Sequence, residues 1–139
     1  MHNITLITLG VEDVVRAKSF YEAAFGWVAH DPADTSTVFF QLPGVVFGLY
    51  ERSALADDIG IPSSGEGFSG ITLAINKHSE EEVDALIEHT LTLGASLLKP
   101  AQKVFWGGYS GYIQDLDGHM IEIAYNPFWA FDDNGVLRL

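Results

Sequence analysis

The chain is 139 residues long, 47% apolar and 19% charged, with nine Phe, five Tyr and three Trp. That is one domain's length with side chains enough for a buried core, which excludes a disordered chain. Seven basic residues against 19 acidic ones give a net charge of −12, so no clustered cationic surface is available for nucleic acid or an anionic membrane. There is no cysteine; disulfides, thiolate metal centres and Cys nucleophiles are excluded together. Met1-His2-Asn3-Ile4 has no basic region ahead of an apolar run, and no stretch nears the roughly 20 apolar residues of a membrane span. These features lead us to expect a cytoplasmic protein.

In chain order, Ile7-Thr8-Leu9-Gly10-Val11 alternates as a strand. A helix follows with Val14, Lys18, Tyr21 and Phe25 on one stripe, Val15 and Ala24 beside it, Asp13 as its cap and Gly26 as its end. Residues 38–42 and 45–50 flank Pro43-Gly44 as a hairpin. Residues 51–66, rich in Gly, Ser, Pro and Asp, join the halves. Ile71-Thr72-Leu73-Ala74-Ile75 is again strand-like, with Ile71, Leu73 and Ile75 toward the core. Ser79-Glu80-Glu81-Glu82 opens a second helix as a capping box, with Val83, Leu86, Ile87, Thr90 and Leu91 along its buried side and Gly94 at its end. Residues 109–115 and 119–125 form a second hairpin around a turn in which Asp115 and Asp117 serve as turn-formers. The tail Asn126-Pro127-Phe128-Trp129-Ala130-Phe131 carries three aromatics that must be covered.

The two strand-like runs are offset by 64 residues, and the intervals from Ile7 to Gly26 and from Ile71 to Gly94 are 19 and 23. A difference of four is about one helical turn, so the second helix can be longer without rotating its buried face. The order βαβββ therefore occurs twice.

Val11-Glu12-Asp13, Arg16-Ala17-Lys18-Ser19-Phe20-Tyr21 and Phe25-Gly26-Trp27 stand near the start. Gly107-Gly108-Tyr109 and Asp115-Leu116-Asp117-Gly118-His119-Met120-Ile121-Glu122-Ile123 stand near the end. With these motifs the chain resembles the vicinal oxygen chelate superfamily, which includes glyoxalase I, extradiol dioxygenases, and bleomycin- and fosfomycin-resistance proteins. The resemblance implies an α+β fold: modules at residues 3–51 and 67–126, a linker at 52–66 and a tail at 127–139. Their strands would form a cup-shaped, partly open sheet with the helices outside. It also implies a homodimer. Metal-dependent members place ligands on the first and last strand of each module, which here means Leu6, Gly48, Gly70 and Glu122. Strand parity puts all four on the cup side.

Leucine and glycine offer no ligand atom, and one carboxylate holds a divalent ion poorly against water. The resemblance, corrected for these residues, implies no metal and no other cofactor. His2, His30, His78, His89 and His119 read as solvated or capping side chains. Ser110 lies in a β region rather than a nucleophile elbow. Glu122, set among Leu6, Val46, Phe68 and Met120, is the candidate acid or base, or the anchor for a cationic or hydrogen-bonding ligand. Phe40 or Phe39, Tyr50, Phe68, Trp106, Tyr109 and Tyr112 are the candidate aromatic lining. The expected function is that of a binding protein resembling the bleomycin-resistance proteins, holding a small organic molecule of cationic or aromatic character. The alternative is a glyoxalase I-like or dioxygenase-like enzyme, either metal-dependent or using Glu122.

Overall fold

A computed structural model describes residues 4, 6–30, 36–69 and 71–139. The chain divides into two compact units, Met1–Gly67 and Phe68–Leu139.

In the first unit, β1 (Leu6–Val11) leads into α1 (Val14–Phe25). Asp13 Oδ1 accepts from the Arg16 amide at 3.0 Å, satisfying one free N–H of the first turn. Gly26 closes the helix with φ of 69°, a left-handed conformation that suits glycine. β2 (Thr37–Leu42) and β3 (Val45–Glu51) form the hairpin about Pro43-Gly44, and the sheet order is β1-β3-β2. Among the described residues, the strand expected directly after α1 is reduced to a bridge between Ala29 and Phe40. Against this sheet α1 buries Val14, Ala17, Phe20, Tyr21 and Ala24. The stripe read from the sequence is thus rotated. Val15 is exposed, and Lys18 pairs with Glu22 at 2.8 Å one turn along. Tyr21 and Trp27 stack 5.5 Å apart and enclose Phe40 and Phe47.

The segment read as a linker begins with a helix, α2 (Arg52–Ile59), packed on β1 and β3. Glu51 caps it, its carboxylate accepting from the Ser53 and Ala54 amides; the Ser53 hydroxyl first, then these amides, hold the Glu51 pKa below its usual value. Arg52 Nε donates to Ser63 O at 3.0 Å and ties the following loop back.

The second unit has the complete order: β4 (Leu73–Lys77), α3 (Glu80–Thr92), β5 (Ser96–Lys103), β6 (Tyr109–Gln114) and β7 (Met120–Tyr125), arranged β4-β7-β6-β5. Ser79 Oγ accepts from the Glu82 amide at 3.1 Å, and Glu82 Oε2 accepts from the His78 amide at 2.7 Å, so the capping box reaches one residue further back than expected. Val83, Ile87 and Thr90 are buried on the side read from the sequence; they meet the sheet face that carries Ile113, Ile121 and Ile123. Asp115 Oδ1 accepts from the Asp117 and His119 amides and shapes the β6–β7 turn. Ile71 precedes β4 and is 65% exposed, not part of the core. The tail folds back as β8 (Ala130–Phe131) paired with β9 (Leu137–Arg138).

Candidate functional site

Strand alternation divides the candidate residues between two faces. On β7, Ile121 and Ile123 are 1% and 0% exposed beneath α3, so Glu122 between them lies on the opposite face. Register then sets a row across all four strands of this sheet: Ala74 on β4, Glu122 on β7, Tyr112 on β6 and Lys99 on β5. Tyr112 is Glu122's partner. Burial first, then the Glu122 charge and a hydrogen bond to its carboxylate, push the Tyr112 phenol pKa up. The next row adds Asn76, Ala124, Ser110 and Gln102. The face is therefore polar along one line, with a carboxylate and a protonated phenol side by side near its middle.

Tyr109 is not on this face. Its hydroxyl donates to Asp84 Oδ1 of α3 at 2.7 Å, and that bond, ahead of burial and the nearby carboxylates, pushes its pKa up to about 12. The reason is parity: three residues from Tyr112, Tyr109 faces the helix, as does Gly111, whose Cβ position would lie 2.8 Å from Ile87 Cδ1. Trp106 lies in the β5–β6 turn with its ring directly on Gly108. Phe68 is 69% exposed and belongs to no strand, because β4 begins only at Leu73.

In the first unit Phe40 is also on the helix side. It is fully buried against Tyr21 and Trp27, and its neighbour Phe39 takes the opposite face. Phe39 pairs with Gly48, whose Cβ position would lie 3.2 Å from the Phe39 ring and 3.3 Å from Thr8 Oγ1. Tyr50 shares that face by parity and is half-buried. Leu6 is 45% exposed; Gly70 lies outside the described residues.

Of the candidate site residues, Glu122 and Tyr50 keep the faces expected of them, while Phe40, Tyr109 and Phe68 line neither open face. Phe39, which the sequence left as the alternative to Phe40, and Tyr112 are the aromatics that take the faces away from the helices. Counting outward from the two turns selects both, because Pro43-Gly44 sets Phe39 opposite Gly48 and Asp117 sets Tyr112 opposite Glu122.

The donor set does not fit the metal centre that the resemblance implies. Leu6 and Gly48 carry no ligand atom, and among the described residues no three His, Asp or Glu side chains converge on a common point.

The helices and strand orders of the two units define an α+β protein with open sheets of the βαβββ type. Residues 3–123 match the Glyoxalase/Bleomycin resistance protein/Dioxygenase superfamily, and the chain belongs to it. It is similar to the crystal structure of a glyoxalase-related enzyme from Fulvimarina pelagi: 33% identity, TM-score 0.92, covering 100% of this chain and 99% of that one. Two more distant structures share the fold. A lactoylglutathione lyase from Agrobacterium tumefaciens is 22% identical with TM-score 0.69, covering 94% and 98% of the two chains. A genomically encoded fosfomycin resistance protein from Listeria monocytogenes is 24% identical with TM-score 0.71, covering 92% and 96%. No curated protein matches the sequence.

Proposed function

We propose that this protein binds a small organic molecule on the open face of the second unit, with the Glu122 carboxylate as anchor for a cationic or hydrogen-bonding group. The observation that carries the reading is Glu122 itself. It sits among strand residues that face away from α3, beside the Tyr112 hydroxyl, with no cluster of metal donors around it among the described residues. A carboxylate so placed recognises a cation or a donor by charge-assisted hydrogen bonding. The family match supports small-molecule chemistry in general.

The test is titration with 2-naphthylmethylamine, a cationic aromatic, followed by calorimetry. Glu122→Gln keeps the shape and removes the charge, and about a ten-fold loss of affinity is expected. Saturable binding that is unchanged in Glu122→Gln would overturn the assignment of the anchor.

A second reading makes Glu122 the acid or base of an enzyme. The Tyr112 phenol beside it and the naming of the 33%-identical relative as a glyoxalase-related enzyme favour it. Turnover of a substrate found by screening, lost in Glu122→Gln with folding intact, would establish it. The proposal also takes the protein to act as a cytoplasmic homodimer. Among the described residues no helix is long and apolar enough to cross a membrane, and the exposed Phe105 and Phe128 offer apolar area for a second copy. Light scattering and cell fractionation test these two points.

A further inference from the structure

The second unit has an open cleft of about 280 Å³ that lies away from Glu122, at the ends of β4 and β7. Lys77 and Tyr125 are paired in register as the last residues of the two strands. His78 and Asn126 follow them out of the sheet, and Trp129 and Phe131 of the tail form the opposite wall. The wall is built, not loose. Asn126 Oδ1 accepts from the Phe128 amide at 2.9 Å and starts the turn. Asp132 Oδ1 accepts from the Asn134 and Val136 amides, and Asp132 Oδ2 accepts from Arg138 at 2.7 and 3.1 Å, which locks the β8–β9 hairpin. Phe131 is thereby set against the His78 ring, centroids 4.6 Å apart.

The charges of the cleft have a sign. Glu80 pairs with Lys103 at 2.6 Å, and Glu82 accepts from the His78 amide at 2.7 Å beside the cleft. Lys77 has no ion pair or hydrogen bond to a described residue. The rest of the chain is acidic, but charges beyond about 8 Å are largely screened at physiological ionic strength. Lys77 lines the cleft and no Asp or Glu is among its described lining residues, so an anion is the species it would hold. The indole and phenol supply flat apolar surface, while Asn126 adds a polar contact. Pockets for small ligands run from roughly 300 to 1,000 Å³, so this cleft suits one or two fused rings.

We propose that the cleft is a second binding site, distinct from the Glu122 face, for a small aromatic carboxylate whose ring lies against Trp129 and Tyr125 and whose anion meets Lys77. The probe is 2-naphthoate, titrated into the full chain and followed by calorimetry and by the three tryptophan indole N–H resonances. Trp129→Phe assigns the Trp129 resonance. Saturable binding is expected, with the Trp129 resonance shifted and that of Trp27 unmoved. Lys77→Met should weaken binding about ten-fold, while Lys99→Met, which removes an equal charge from the Glu122 face, should leave it unchanged. Glu122→Gln should also leave it unchanged, so failure here is separable from failure of the Glu122 reading. Absence of 2-naphthoate binding, an equal shift of the Trp129 resonance by 2-naphthoate and by 2-naphthylmethylamine, a shift confined to other tryptophans, or loss on Lys99→Met rather than Lys77→Met would each overturn the proposal.

Discussion

The assignment of Phe39 and Phe40 to opposite faces has a direct energetic consequence. Phe40 is fully buried, with Trp27 at 5.5 Å and Tyr21 at 6.4 Å between ring centroids. Truncating such a ring removes its transfer energy, leaves a cavity and forfeits two aromatic contacts, so Phe40→Ala should cost about 3–5 kcal/mol. Domains of this size have roughly 5–15 kcal/mol in total, and each kcal/mol moves Tm by about 2–4 °C. A fall of about 6–20 °C is expected. Phe39 is half-buried and covers Gly48 and Thr8. Phe39→Ala should cost only about 1–2 kcal/mol, because much of its ring is already in water. Thermal unfolding followed by circular dichroism compares the two. A third variant sharpens the comparison. Gly48→Ala places a Cβ 3.2 Å from the Phe39 ring, so its cost should shrink in the Phe39→Ala background. Equal losses from Phe39→Ala and Phe40→Ala, or a larger one from Phe39→Ala, would refute the face assignment and with it the placing of Gly48 on the open face.

Three further outcomes follow from local geometry. Gly108→Ala would put a Cβ 1.7 Å from the Trp106 ring; the ring must leave, and near-ultraviolet circular dichroism should change with a loss of about 1–3 kcal/mol. In spectrophotometric titration of the five tyrosines, one phenol should ionise last, near pH 12, and Tyr109→Phe should remove that step. Because the folded pKa is raised above 10, the stabilisation is complete below pH 10 and is lost as pH climbs through about 12. Asp132 has the opposite sign: the Val136 amide first, then Arg138, hold its pKa below 3.8, so the stabilisation of the tail hairpin is present above pH 3.8 and lost as pH falls through the lower folded value. Asp132→Ala should speed amide exchange at Asn134 and Val136, whereas exchange at Ile121 should not change.

What could be read in the sequence was whatever a local rule determines. Asp13, Ser79, Gly26 and the Pro43-Gly44 turn each follow from the needs of a helix end or a two-residue hairpin, and each stands where expected. Where no such rule applies, legibility failed. β5 contains Pro100 and shows no apolar alternation; it is an edge strand with two register irregularities, where proline is tolerated and neither face is strictly buried. α2 is capped by a glutamate rather than by Ser or Asp, and the Gly- and Ser-rich stretch after Ile59 masks it. The site residues were harder still, because Phe39 and Phe40 are identical in type and only pairing distinguishes them. Tyr109 carries the same lesson in reverse, since its hydroxyl serves α3 and not a ligand.

Leucine at position 6 and glycine at position 48 are compatible with the packing of the fold for a structural reason. Helix packing is set by Ile121, Ile123, Phe47 and Leu49, which alternate with Glu122 and Gly48 along the same strands. The open-face positions can therefore change without disturbing the core. They do not stay vacant, however. Phe39 and Thr8 lie within 3.2–3.3 Å of where a Cβ on Gly48 would be. Gly48→Glu alone would consequently have to displace an aromatic ring before its carboxylate could face outward. Gly48→Glu should therefore cost less stability in the Phe39→Ala background than in the natural chain, and thermal unfolding of the two pairs tests whether the ring is the barrier; equal costs would show that it is not.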